Sequence, residues 1–437
     1  MDSTEITHRR VLNVAIPIMI SNATYPILGA VDTGVVGQLG DAIPIGAVGI
    51  GAIILSGLYW IFGFLRMGTS GLVAQARGAG DVAETKAIFI RGMIIGITAG
   101  VVIFALQIPM FWAAFQIAPA STEVEVMAQR YMEIRIWGAP ASISLYAITG
   151  WLIAMERTRA VLLLQLWING VNVALDLWFV LELDMGVEGV AIATLIAEWT
   201  GVALGLWLCR GNFKGGEWRN WAQIFDRVKV RRMASVSGDI MMRSMLLQAS
   251  FMTFLFIGAK MGNVTLAANQ ILLQFVSITA YALDGFAFAA EALVGAALGA
   301  KNRKALRRAA ILSSQWGLAG GVLLMAVFML SGPTIINIMT TAPDVRIEAK
   351  AYLLWMVIFP IVCLPGWMFD GIFIGATRTR DMRVAMLQST AVYVVVLFAL
   401  VPVMGNHGLW VSLIIFNIVR ALTLWRYYPA LEAQADA

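Results

Sequence analysis

The sequence predicts an all-α integral membrane protein of twelve transmembrane helices, arranged as two pseudo-symmetric six-helix lobes. Three observations predict it: an apolar content too high for a soluble domain, apolar runs of spanning length, and an internal repeat. Of the 437 residues 60% are hydrophobic and 13% charged, whereas soluble domains run at roughly 45–50% apolar and about 25% charged. One span consumes ~20 apolar residues, so the chain has material for about twelve and little else. A large extramembrane catalytic module, a nucleic-acid-binding domain and a secreted disulfide scaffold are excluded. Only Cys209 and Cys363 are present, each in or beside an apolar run, which argues against a structural disulfide.

Apolar runs bounded by charge, Gly, Pro or Asn fall at 11–38, 44–72, 87–115, 124–155, 160–181 and 186–209. After a polar stretch they resume at 234–259, 264–298, 309–331, 347–376, 384–404 and 408–428. The first is read as a retained helix, because Asp2, Glu5 and two arginines precede it and no small-residue cleavage site follows. Basic residues are retained on the cytoplasmic side. With both termini inside, 24 of the 31 Lys and Arg lie in inner segments, against Lys260, Arg346 and Lys350 outside. That split predicts cytoplasmic termini for a multi-pass protein of the plasma or inner membrane, and it accounts for the net charge of +5 without a nucleic-acid partner.

The repeat is explicit. Arg9 and Arg10 recur as Arg231 and Arg232, and Gly63-Phe64 as Gly285-Phe286, at an offset of 222. Gly150 with Arg157-Thr158-Arg159 recurs as Gly371 with Arg378-Thr379-Arg380, at 221, and Met185-Gly186 as Met404-Gly405, at 219. Six helices per copy is an even number, so the copies are parallel. The lobes are expected at 1–210 and 233–437, joined by a cytoplasmic linker at 211–232 with an amphipathic piece around Trp218 and Trp221.

Acids at bilayer depth are costly and need a reason. Asp32 lies deep in the first span with Tyr25 and Ser21 on its face, and Pro17 and Pro26 break the backbone ladder of that helix. In the fifth span Gln165, Asn169, Asn172 and Asp176 recur at steps of 4, 3 and 4, one stripe of an apolar helix. Thr194 and Glu198 sit one turn apart in the sixth. Interhelical glue is the bland reading. Two carboxylates among amides and hydroxyls fit a proton or small-cation site better, and Asp32 and Asp176 are expected to share one proton. Counted at the same offsets, the second copy has Phe254, Ala391 and Val395 at the places of Asp32, Asn172 and Asp176. It has other acids: Asp239, read as paired with Arg243 one turn on, Asp284 and Glu291, which share a face, and Asp370, the best site candidate of that lobe. Gly92, Gly96 and Gly100 form a packing seam.

Twelve spans in two parallel copies, Pro17 with Asp32 fifteen residues on, Asn172 with Asp176, and Thr194 resemble the multidrug and toxic compound extrusion (MATE) family. Within it the chain is similar to the branch related to the DNA-damage-inducible F proteins. The resemblance implies two six-helix lobes and antiport: organic, often cationic, compounds leave as H⁺ or Na⁺ enters. It places the ion site, sodium included, on Asp32, Asn172, Asp176 and Thr194, with Asn169 and Tyr131 nearby and the bend of the first helix at Pro17. Asp370 matches an acid that some branches pair with a glutamate of the seventh helix to hold sodium; the seventh span here has none. The expected partners are small organic substrates and the lipid bilayer, with the protein acting as a monomer. No cofactor beyond the coupling ion and no enzymatic cluster is expected. A flippase for lipid-linked precursors and a Na⁺-coupled exporter of organic anions are the competing readings; the flippase calls for more cavity-facing basic residues than Arg66 and Arg243.

Overall fold

The computed structural model describes residues 5–38, 42–117, 121–214 and 217–436. The side chains of residues 25–30, 32, 33, 42, 117 and 217 lie outside this description, and with them those of Tyr25, Pro26 and Asp32. Every regular element among the described residues is helical: α1 (His8–Gly37), α2 (Ala42–Trp60), α3 (Gly63–Gly78), α4 (Val82–Ala105), α5 (Gln107–Ile117), α6 (Thr122–Arg135), α7 (Ala139–Ala154), α8 (Thr158–Asp176), α9 (Gly186–Cys209), α10 (Trp221–Ile224), α11 (Arg227–Lys260), α12 (Asn263–Gly299), α13 (Arg303–Met339), α14 (Pro343–Val362), α15 (Leu364–Gly375), α16 (Thr379–Met404) and α17 (Asn406–Ala433). Eleven stretches among the described residues are long and apolar enough to cross a membrane. Ahead of them, α1 has 30 residues, ~45 Å at 1.5 Å per residue.

Backbone geometry repeats with the sequence. Asp81 caps α4 by accepting from the Glu84 amide at 2.8 Å, and Asn302 caps α13 from the Ala305 amide at 3.0 Å, at an offset of 221. Left-handed residues follow the same offset, Gly80 with Lys301 and Glu156 with Thr377. The fourth and tenth spans are each interrupted: α6 and α7 by a 3₁₀ turn (Ile136–Gly138) before Pro140, α14 and α15 at Cys363 between Pro360 and Pro365.

The chain forms two compact units that do not follow chain order. One comprises Ile20–Val73 and Asp81–Met233; the other comprises Met1–Met19, Ala74–Gly80 and Ala234–Ala437. Helix α1 therefore changes unit two residues after Pro17.

In the first unit the glycine seam of α4 meets α7 at Ala147, Ser144 and Pro140 in turn, so the small residues serve close backbone approach. The linker is a folded segment rather than a loose loop. Arg91 of α4 donates to the carbonyls of Gln223 and Ile224, each at 2.6 Å, and Glu84 pairs with Lys229 at 2.7 Å. Trp221 and Phe225 are stacked and exposed beside it, an interfacial pair of the kind the amphipathic reading calls for.

In the second unit the core is built on Phe254, Phe275, Phe328, Tyr393 and Trp410. Gly285 of α12 abuts the Ala15 carbonyl and Met19, which clamps the buried Pro17 turn of α1 to this unit. The end of α3 meets the end of α12 reciprocally. Gly78 lies against the carbonyl of Ala296 and Gly299 against that of Gln75, and these pairs are related by 221 residues.

A methyl group at either glycine collides with a carbonyl that cannot rotate away. Gly78→Ala and Gly299→Ala are each expected to cost about 1–3 kcal/mol, read as a lower melting temperature in detergent. The control is Gly238→Ala, at an uncrowded helical position, which is expected to be neutral or stabilising by up to ~1 kcal/mol.

Candidate functional site

The polar stripe of α8 folds as its spacing requires. Asn169, Asn172 and Asp176 are all buried, Asp176 completely at 0% exposure. Gln165 Nε2 donates to Asn169 Oδ1 at 2.9 Å, and Asn169 Nδ2 donates to Thr24 Oγ1 of α1 at 2.8 Å. Thr24 donates in turn to the Ser21 carbonyl at 2.7 Å. One turn along, Asn172 Nδ2 donates to Thr194 Oγ1 of α9 at 3.1 Å, and Thr194 donates to the Val190 carbonyl at 3.0 Å. The stripe thus ties α8 to α1 on one side and to α9 on the other. Asn172 Oδ1 accepts no hydrogen bond among the described residues, so the amide retains an acceptor facing a dry interior.

Helix α8 ends at Asp176 and runs directly into a π-helical turn, Leu177–Glu182, closed by Leu183 N–H donating to Trp178 O at 3.1 Å. Single π turns inside helices mark functional positions more often than packing alone predicts. The second copy has no counterpart, because α16 is regular from Thr379 to Met404. The helix starts align at 221 (Thr158 with Thr379) but the following glycines at 219 (Gly186 with Gly405), so the first copy holds two extra residues in the interval that contains the π turn. This corrects the residue equivalence. Asn172 and Asp176 correspond to Tyr393 and Leu397, both buried in the core, and not to Ala391 and Val395, which are exposed. Phe254, in the place of Asp32, is a core residue against Trp410 with ring centroids 4.6 Å apart.

The other candidates are placed as follows. Tyr131 is buried in α6 against Gly51 of α2, one turn before Arg135. Glu198 accepts a bidentate ion pair from Arg135 at 2.8 and 3.1 Å, so this carboxylate is committed elsewhere than to the α8 stripe. Asp239 does not pair with Arg243 as the i+4 spacing suggested. It accepts from Thr379 Oγ1 at 3.0 Å and pairs with Arg383 at 2.7 Å, both of α16. Arg243 instead pairs with Asp370 of α15. Arg420, counted above among inner-segment residues, is buried at the middle of α17, 3.8 Å from the same Asp370 oxygen. Sequence reasoning missed Thr24, although its neighbours Ser21 and Asn22 signal a polar patch. It also missed the Arg420 partnership, for which no sequence signal exists. Among the described residues no three His, Cys, Asp or Glu side chains group as a metal site.

Buried polar groups inside a duplicated set of spanning helices with broken members are the architecture of a membrane transporter. The MatE family model matches residues 17–178 and 240–400, once per copy, and the chain belongs to that family. It is 38% identical over 429 residues to DNA damage-inducible protein F of Escherichia coli (strain K12), covering 95% of this chain and 91% of that protein. A more distant relative is the chloroplastic Protein DETOXIFICATION 44 of Arabidopsis thaliana, 25% identical, with 95% and 81% covered. Two solved structures share the fold: a MATE protein in complex with MaD3S, at a TM-score of 0.89 and 20% identity, and an outward-facing multidrug resistance MATE transporter of the MOP superfamily, at 0.85 and 19%. Each covers 98% of this chain and 97% of its own.

Removing one partner of a buried ion pair strands the other charge. Arg135→Leu is expected to cost about 3–5 kcal/mol, and the Arg135→Leu/Glu198→Leu double variant much less. Thermal unfolding of the three proteins in detergent measures the difference.

Proposed function

We propose that this protein is a secondary active antiporter that exports organic, often cationic, compounds in exchange for an inward-moving proton, with sodium as the competing coupling ion. The observation that carries the reading is the buried Asp176 at the junction of α8 and its π turn, flanked by amides bonded to α1 and α9. A carboxylate at such depth is costly to ionise, so its charge state responds to a proton or a cation brought to it. Asp32 shares the task in this reading, as the second acid of the site, with Asn172 and Thr194 as neutral ligands and Asn169 in support. Two acids in one low-dielectric region hold a single proton more easily than two charges.

The mechanism follows from what the stripe touches. Changing the charge on Asp176 changes the hydrogen bonds that α8 can make, and Asn169 passes that change to Thr24 of α1. Around Pro17, α1 is clamped by Gly285 at Ala15 and Met19; from Ile20 onward it belongs to the other unit, where Thr24 meets α8. Proline lacks the N–H that would stiffen this point. Protonation from outside then bends α1 at Pro17, with Pro26 as a second flexible turn, and expels the substrate. The proton leaves once the site faces the cytoplasm, the side on which the distribution of Lys and Arg leads us to expect both termini.

Efflux from liposomes with proton and sodium gradients imposed separately tests the assignment. Asp176→Asn and Asp32→Asn are each expected to abolish gradient-driven efflux with expression intact, while Asp284→Asn is milder. Equal loss in all three removes the site from the first copy, and efflux driven by sodium alone replaces the proton.

Pro17→Ala restores a backbone donor and straightens α1. Turnover is expected to fall while substrate binding is retained, and full turnover in Pro17→Ala refutes the hinge.

A further inference from the structure

One cluster in the second unit sets two buried guanidiniums against one carboxylate. Arg243 is the seventeenth of the 34 residues of α11, and Arg420 the fifteenth of the 28 of α17, so both lie at mid-helix. Both guanidiniums converge on one oxygen of Asp370, Oδ2: Arg243 through Nη2 in an ion pair, and Arg420 through Nη1 at 3.8 Å. The three residues are 5%, 2% and 6% exposed respectively for Arg243, Arg420 and Asp370. Guanidinium is charged under all ordinary conditions, so two permanent cations face one carboxylate.

The nearest acid on α11 cannot restore balance, since Asp239 is engaged by Arg383 and Thr379. Donors are left over as well as charge. Among the described residues Arg243 Nε has no hydrogen-bond partner, and neither do Arg420 Nε and Nη2. Those last two atoms form one edge of the guanidinium fork, the geometry that grips a carboxylate with two parallel bonds. Gly366 faces this edge; a Cβ there would lie 2.8 Å from Nη2 and 3.0 Å from Nε, crowding it. Unpaired donors and an uncompensated charge at this depth each cost free energy, and an anion relieves both together. A sodium ion at Asp370 would face two guanidiniums.

We propose that Arg420, Arg243 and Gly366 form a binding site for a small monoanion, either a halide or the carboxylate group of an exported compound. The carboxylate case rests on the antiporter reading and adds to it a substrate class carrying an acid group; the halide case stands without it.

The test is the melting temperature of the purified full-length protein in detergent, with sodium bromide or sodium acetate titrated against sodium isethionate at constant sodium and ionic strength. Ligands that bind only the folded state raise the melting temperature in a saturable way. Wild type is expected to respond, and Arg420→Gln and Arg243→Gln to lose the response. Gly366→Ala is expected to weaken it with no change in charge. Asp370→Asn removes the competing carboxylate, so half-saturation should fall at least about threefold; a cluster serving only as a tie between helices would lose stability in this variant and gain no anion response. Should Arg420→Gln fail to fold, Arg243→Gln and Asp370→Asn carry the decision. Response to bromide alone assigns an inorganic anion, and response to acetate at equal or lower concentration assigns a carboxylate. The absence of any response in both wild type and Asp370→Asn overturns the proposal, as does a response unchanged in both arginine variants. Asp176→Asn should keep the full anion response, so loss of transport and loss of this site are read separately.

Discussion

The cost of a charge in a low-dielectric interior organises this molecule. Each ionisable side chain within the spanning helices must be paired, neutralised or given a ligand, since an isolated buried ion is too expensive to keep. The structure uses these solutions in different places. Arg135 and Glu198 complete each other in bidentate fashion, and that pair fastens α6 to α9 without further demands. Asp239 is satisfied by Arg383 and Thr379, which fastens α11 to α16. Asp370 is held by Arg243 with Arg420 behind it, leaving positive charge in excess. Asp176 is buried on a stripe of neutral amides at a break in helical geometry. Matched pairs stiffen the packing between helices.

Duplication makes this distinction visible, because each copy is a control for the other. Caps, left-handed turns and crowded glycines recur at an offset of 221 and are properties of the shared scaffold. The π turn after Asp176 and the two extra residues around it belong to the first copy alone. Where the first copy has Asn172 and Asp176, the second has Tyr393 and Leu397 in its apolar core. A scaffold does not need a buried acid at this point, since its twin does without one. The converse holds for the arginine cluster, built on helices of the second copy only.

Much of the architecture was legible in the sequence because it is periodic. Apolar runs mark the spans, a fixed offset marks the duplication, and steps of 4, 3 and 4 put Gln165, Asn169, Asn172 and Asp176 on one face. Periodicity says which face a residue occupies but not what lies opposite. Asp239 and Arg243 are one turn apart, so proximity in sequence pointed to a local pair, yet both side chains reach partners more than 120 residues away. Arg420 looks like a cytoplasmic positive charge because Arg426 follows it closely, and only packing reveals that it is buried at mid-helix. The equivalence of Asp176 was misaligned by two residues for a related reason: an insertion absorbed within a helix leaves no gap in hydropathy.

The same reasoning explains why α1 is the element on which coupling turns in the proposed cycle. A relay needs a part that one group of contacts holds while another releases it, and α1 alone among the long helices changes compact unit near its own proline. It is pinned around Pro17 by Gly285, which lies against the Ala15 carbonyl and the Met19 side chain and leaves no room for an added Cβ. Beyond Met19, Thr24 accepts a hydrogen bond from the Asn169 amide of the α8 stripe. A steric clamp is insensitive to protonation, whereas a hydrogen bond on the helix of the proposed proton-binding acid is not. In the proposed cycle the part of α1 beyond Met19 is therefore the part that responds, and Pro17 lies in the clamped turn just before it.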